Sequence, residues 1–275
     1  MNILTFDIEE WITYNYFEKG GKAYFVPILD RYLGVLLDLL DAYQYKATFF
    51  CLGQLASDYP YVIKQIAGRG HEVGCHSHTH SKVCTMNPET FYSDTRQALS
   101  CLEDVCDRKI TAYRAPYFSI TGQTMWAFDI LADLGIEIDS SLIPDSPHLK
   151  GVQSMPSQPF ILNCRSKEIK EFPLNTHKAL GKEIAFAGGG YFRFVPYSFI
   201  KKWTRESAYT MTFFHLRDFD REQKVVYSFR YFKSYYGIKN ALPKFERYLS
   251  DFQFVSLAQA NCQIDWKSNN GILPL

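Results

Sequence analysis

Short β-branched and aromatic runs alternate with longer stretches of helical spacing through the first half of the chain, and this rhythm constrains the fold most. The strand-like runs are Asn2–Phe6, Ala47–Leu52, His71–Cys75, Thr111–Arg114 and Ile136–Asp139. Between them, Pro27–Tyr43 repeats apolar residues at helical intervals (Ile28, Leu29, Tyr32, Leu33, Leu36, Leu39, Leu40), and Tyr61–Gly68 reads as a short helix. Pro88 suits the first turn of a helix reaching about Val105, and Gly135 stops a helix over Gln123–Leu134. Strand–helix alternation of this kind predicts an α/β fold with a parallel sheet, open or closed into a barrel.

In such sheets ligand sites lie at the carboxyl ends of the strands. The polar clusters 7–10 (DIEE), 76–80 (HSHTH), 114–117 (RAPY) and 139–141 (DSS) each follow a strand-like run. They are therefore expected to converge in space. After residue 145 the rhythm weakens. Pro144, Pro156 and Pro159 mark a loop region, Gly188-Gly189-Gly190 reads as a flexible turn, and Thr212–Phe214 reads as a strand leading to His215. Leu242–Leu249 is helical, and Phe252–Leu257 is expected to be a closing strand. No linker stands out, so residues 1–275 are expected to be one catalytic domain with an elaborated second half, about 145–275.

Composition excludes several classes. Hydrophobic residues make up 47% and charged residues 21%, which argues against disorder. A net charge of +1, with no basic stripe, gives no case for nucleic acid or a membrane surface. No apolar run is long enough to span a bilayer. The seven cysteines are odd in number, irregularly spaced and without a CxxC, as expected of reduced thiols. The start, MNILTFDIEEW, does not read as a signal peptide, and a cytoplasmic protein is expected. The 19 Tyr and 22 Phe imply a large aromatic core, with some rings available to stack on sugar faces.

The clusters carry chemistry by spacing. On an extended strand Asp7 and Glu9 point the same way, as a metal ligand and a base would. His76 and His80 are four apart, the spacing that sets two imidazoles on one face of a helical turn. With one carboxylate they form a site that leaves room for water and substrate. His78 reads as a neighbour and His71 as structural. Arg114 can tether a carboxylate, and Pro116 can fix the loop so that the next backbone N–H aims at a reacting oxygen. His215 beside an aspartate can serve as a general acid.

In this order, TFDIEEW, ATFFCLG, GHEVGCHSHTH, YRAPYFS, IDSSLIP, TFFHLRD and FVSL resemble the polysaccharide deacetylases of carbohydrate esterase family 4, the NodB-homology group. GGGYFRFVPY and the D-x-E-x-W start look most like the exopolysaccharide-locus (PEP-CTERM-type) branch. The resemblance implies a distorted (β/α)7 barrel that hydrolyses an N-acetyl group on a sugar, using a divalent metal, zinc by expectation. It implies Asp7 as base, Glu9, His76 and His80 as metal ligands with Glu10 a lesser candidate, and Arg114 as the residue that orients the base. It also implies the Tyr117 amide as oxyanion donor, His215 as general acid and Asp139 as its partner. The implied partner is an acetylated sugar, oligosaccharide or glycan precursor. Two other readings stay open: a non-catalytic metal- or sugar-binding relative, and an amidohydrolase acting on a small non-sugar amide. The branch continues its last histidine as a Pro-Trp-acid run, whereas this chain has Leu216-Arg217-Asp218. Arg193 is left open between a substrate contact and a structural salt bridge.

Overall fold

The computed structural model describes residues 1–9, 21–144, 155–179, 181–222, 236–267 and 272–274. Strands β1 (Asn2–Ile3), β2 (Thr5–Ile8), β3 (Thr48–Cys51), β4 (Glu72–Cys75), β5 (Ala112–Tyr113) and β6 (Ile138–Asp139) come from the first half. From β2 to β6 each pairs in parallel with the next. Every residue of β2 and β3 is buried, as strands covered on both faces must be.

The helices lie between the strands, at α1 (Gly21–Ala42), α2 (Gly53–Asp58), α3 (Pro60–Gly68), α4 (Pro88–Cys106) and α5 (Trp126–Asp133). Pro88 does open α4, and Asn87 caps it by accepting from the Thr90 backbone N–H at 2.8 Å. Gly135, at φ +96°, follows the end of α5. The α5 helix starts three residues later than the spacing suggested, because Thr121 and Thr124 close a turn first.

The second half completes the ring. Its strands are β7 (Phe160–Asn163), β8 (Glu168–Glu171), β9 (His177–Ala179), β10 (Lys182–Ile184), β11 (Thr210–Met211) and β12 (Ile272–Pro274). β8 joins β6 in parallel, while β7 runs antiparallel beside it. At the other edge β11 pairs with β1, and Phe214 bridges Phe6. A ring of β2, β3, β4, β5, β6, β8 and β11 results. Its last joint is made by side chains: Asn175 Oδ1 accepts from the Met211 backbone N–H at 2.9 Å, and the Tyr209 hydroxyl donates to the Pro173 carbonyl at 2.9 Å. This is the distorted (β/α)7 barrel that the resemblance implied.

Two expectations fail. Phe252–Leu257 is not a strand: Val255 makes one isolated bridge to Ile3, and Ser256 then caps helix α9 (Leu257–Gln263) through Gln259. Gly188–Gly190 is not a loose turn but the start of helix α6 (Gly189–Phe194). A Cβ on Gly188 would fall 2.0 Å from the Phe213 carbonyl oxygen, so the glycine is what lets α6 approach the strand leading to His215. Helices α7 (Tyr197–Glu206) and α8 (Ala241–Asp251) pack behind it. None of the seven cysteines forms a disulfide, and no helix among the described residues is long and apolar enough to cross a membrane.

Asn175 is buried, and its loss would leave the Met211 N–H without an acceptor at the barrel joint. Asn175→Ala is expected to lower unfolding free energy by about 1–3 kcal/mol, read from urea denaturation. An unchanged midpoint would show that the joint is held elsewhere.

Candidate active site

The carboxyl ends of β2, β4, β5 and the strand leading to His215 bring the sequence-predicted residues together. Arg114 follows β5 and is fully buried. Its Nη1 donates to Asp7 Oδ1 at 2.8 Å and to Thr5 Oγ1 at 2.7 Å. Its Nε and Nη2 donate to the carbonyl and hydroxyl of Ser140, at 3.2 and 3.0 Å. The guanidinium carbon sits 4.2 Å from the Phe50 ring centroid. A buried cation needs this complete set of partners. One carboxylate oxygen of Asp7 is thereby fixed, and the other faces His215 Nε2 at 4.0 Å.

Glu9, His76 and His80 form one group that could hold a metal ion, their ligand atoms lying within 4.8 Å of one another and all three buried. The Arg114 carbonyl accepts from His76 Nδ1 at 2.8 Å, which leaves Nε2, 3.3 Å from Glu9 Oε2, as the ligating nitrogen. His80 Nε2 also meets Glu9 Oε2. Among the described residues His80 Nδ1 has no hydrogen-bond partner, and Nε2 of this buried ring approaches only Glu9. An imidazole left this way fits a metal ion in the space between the three side chains. Burial pulls His80 below its ordinary value despite the pull of Glu9, which keeps it in the neutral form that ligates. Burial works against the charge on Glu9, but His215, His76, His80 and Arg217 together hold it well below the usual carboxylate range.

The histidine pair does not use a helical turn. Residues 76–80 form a loop in which Ser77 and His80 take positive φ values of 70° and 58°. Asp94, from α4, holds this loop by accepting from the backbone N–H groups of His78 and Thr79 at 2.8 and 3.2 Å. Backbone strain of this kind at a non-glycine residue persists where a site over-determines it. His78 stays outside the metal group. His71 is structural, as read, with Nδ1 accepting from the Ala47 N–H at 3.3 Å. Glu10 lies outside the described residues.

His215 Nε2 is 3.3 Å from Glu9 Oε1. Its Nδ1 is 3.2 Å from Asp218 Oδ2, which also accepts from the His215 backbone N–H at 2.9 Å. The expected partner, Asp139, is elsewhere. Its two oxygens accept from the backbone N–H and the hydroxyl of Ser141, at 2.8 and 2.9 Å. Asp218 takes the place because the turn at Leu216–Phe219 folds position 218 back onto residue 215. Burial alone would lower the His215 pKa, but Glu9 and then Asp218 outweigh it, and the imidazole sits above its ordinary value. Asp218 is in turn held low, against burial, by His215, Arg193 and Arg217. Arg193 Nε is 3.3 Å from Asp218 Oδ1, and Arg217 Nη2 is 3.2 Å from Glu9 Oε1. Of the two readings open for Arg193, the structure shows the buried salt bridge. Asp218 and Arg217 were not singled out from sequence. The acid three residues after His215 was the available signal.

Tyr117 adopts φ 57°, ψ 16° in the turn Pro116–Phe118. Its ring is 55% exposed and lies 4.6 Å from the His80 ring.

Residues 4–138 match the polysaccharide deacetylase family, and residues 140–261 match a domain of unknown function, DUF3473. Among curated relatives, a peptidoglycan N-acetylglucosamine deacetylase of Bacillus cereus is 31% identical over 112 residues, 40% of this chain and 38% of its own. A chitin deacetylase of Pestalotiopsis is 32% identical, covering 39% and 36%. A chitooligosaccharide deacetylase of Bradyrhizobium is 29% identical, covering 42% and 48%. The chain thus spans less than half the length of these relatives. Among solved structures, a candidate polysaccharide deacetylase from Mycobacterium smegmatis superposes with a TM-score of 0.67 at 18% identity, over 99% of this chain and 91% of that one. A carbohydrate esterase family 4 pseudoenzyme from Bacillus anthracis superposes at 0.54 and 13% identity, over 94% and 64%. At these identities the structures share the deacetylase fold, which the pseudoenzyme shows is not by itself an activity.

Substituting an orienting neighbour of a metal ligand costs about 10–100-fold in affinity, and losing a ligand costs at least that much. His80→Ala is expected to weaken zinc or cobalt binding by tenfold or more in chelator competition. Equal affinity in the variant would remove His80 from the metal group.

Proposed function

We propose that the chain is a metal-dependent hydrolase that removes an N-acetyl group from a sugar of a cell-surface polysaccharide or its precursor, working as one catalytic domain. One observation carries this reading. An arginine-held carboxylate and an aspartate-held histidine face each other across a three-ligand group, with Asp7 Oδ2 4.0 Å from His215 Nε2 and Glu9 beside both. The second half of the chain supports the one-domain reading, because it supplies His215, Asp218, Arg193 and Arg217.

Glu9, His76 and His80 would hold the ion, and two imidazoles with one carboxylate suit zinc with a position left open. When bound, the ion supplies Lewis acidity that polarises an acyl carbonyl and acidifies water. The rest falls to the protein. Asp7, fixed at Oδ1 by Arg114, offers Oδ2 as the base that takes a proton from the attacking water. The Tyr117 amide would donate to the oxyanion, set by its left-handed backbone. His215 then gives the Nε2 proton to the leaving amine, while Asp218 fixes its ring through Nδ1. Water and amide become acetate and amine, so a base and an acid are both needed. The exposed Tyr117 ring beside His80 offers a sugar a stacking face at the reacting centre. The motif resemblance and GGGYFRFVPY support placement in the exopolysaccharide-locus branch.

The test is acetate release from N-acetylated oligosaccharides, polymers and sugar nucleotides, comparing metal-stripped and zinc-reloaded protein. Asp7→Asn is expected to lower the rate by about 10²–10⁴-fold while metal content is unchanged. No release from any substrate by zinc-loaded protein would favour the non-catalytic reading, and release only from small non-sugar amides would favour an amidohydrolase. The pH profile gives a second check. Asp218 raises the His215 pKa, and the acid works only when protonated. Asp218→Asn is therefore expected to move the alkaline limb of kcat to lower pH. A limb that stays in place would detach Asp218 from the acid.

A further inference from the structure

Two buried carboxylates, Asp139 and Glu171, have no part in the chemistry above. They are register partners on the parallel strands β6 and β8, so their side chains leave the same face of the sheet side by side. Neither exposes any surface. Protein donors serve most of their oxygens: Ser141 serves both oxygens of Asp139, and the Leu142 N–H donates to Glu171 Oε1 at 3.0 Å. Among the described residues Glu171 Oε2 meets no donor, and the two carboxyl groups contact each other. Arg114 is the cation facing them, and it is already committed to Asp7 and Ser140. The other titratable neighbours are Tyr113, Tyr209 and Cys164, all kept protonated by burial, with Cys164 pushed up to about 12. Two carboxylates in contact and shut off from the surface cannot both ionise.

We propose that Asp139 and Glu171 hold one proton between them and act as a positioning pair for the loop that carries Arg114 and the Tyr117 amide. The connection is direct. The Ser141 hydroxyl donates to Asp139 and accepts from the Ala115 N–H at 2.8 Å. Neighbouring Ser140 receives two of the Arg114 donors. Loss of the shared proton sets two negative charges against each other between β6 and β8, and Ser141 moves with Asp139. The bearing on catalysis rests on the deacetylase reading; the pairing itself does not.

The sign follows from the proton count. Burial raises both groups, Asp139 to about 6, and Asp139 pushes Glu171 well above its usual range. The folded chain thus keeps a proton that the unfolded chain gives up near pH 4.3, the ordinary glutamate value. From that pH until the pair loses its proton, the unfolding equilibrium constant gains about tenfold per pH unit from this proton. Glu171→Gln supplies a permanent N–H donor and removes the dependence.

The experiment follows the Ala115 and Tyr117 amide resonances of the full chain through a pH titration, with chemical denaturation at the same pH values. In the native protein these resonances are expected to shift together on the alkaline side. In Glu171→Gln the shift should vanish, and the pH dependence of unfolding should fall by one proton. Shifts that persist with the same midpoint, or an unchanged dependence, overturn the proposal. Should Glu171→Gln not fold, the infrared spectrum of the native protein at pH 6 decides. A carbonyl band of a protonated carboxylic acid that resists exchange of the bulk solvent is expected, and its absence overturns the pairing. Neither readout involves turnover, so an inactive enzyme leaves the test intact.

Discussion

Arg114 is fully buried, and its charge is tolerable only because four groups from three strands are turned toward it. Asp7 and Thr5 belong to β2, Ser140 follows β6, and Phe50 comes from β3. Each of those contacts fixes something the site needs. The guanidinium holds one oxygen of Asp7, and its own backbone carbonyl fixes the His76 ring. Removing one partner would leave a buried charge uncompensated, and a loss of that kind costs several kcal/mol. Asp7 and His76 are thus held by one residue, through its side chain and its backbone.

The candidate metal group takes its two histidines from one strained loop. Ser77 and His80 adopt left-handed backbone, and Asp94 anchors the loop from outside. Glu9 then shares its two oxygens, Oε2 with the histidine pair and Oε1 with His215 and Arg217. This division joins the N-terminal half, where the deacetylase match lies, to the C-terminal half, where the DUF3473 match lies. His215, Asp218, Arg193 and Arg217 all come from the latter. The half with the weaker sequence rhythm therefore completes the side of the cluster around His215.

Much of this was legible because the relevant spacing is local. Strand alternation turns Asp7 and Glu9 the same way, and Pro88 and Gly135 mark helix ends by their own backbone limits. The second half was less legible for a physical reason. Strand β8 reads Glu-Ile-Lys-Glu and β10 reads Lys-Glu-Ile, so the alternation that marks a strand is masked. Phe252–Leu257 had the composition of a strand but meets its neighbour only at Val255, because Ser256 and Gln259 begin a helix.

The sequence by itself determined the residue types and their order: two acids at one strand end, a histidine pair after another, an arginine after a third. It also determined a parallel sheet flanked by helices, since strand–helix alternation leaves few other ways to bury those strands, whereas closure into a ring came from the pairing of β11 with β1 and the joint at Asn175. Only the tertiary structure decided the partners. His215 pairs with Asp218 because a tight turn brings position 218 back, whereas Asp139 meets Glu171 because β6 and β8 fall in that register. Asp139 closes one strand-like run and Asp218 lies shortly beyond another, so the two look alike along the chain. Which one meets the histidine depends on a turn and a strand register, and neither leaves a periodic mark in sequence.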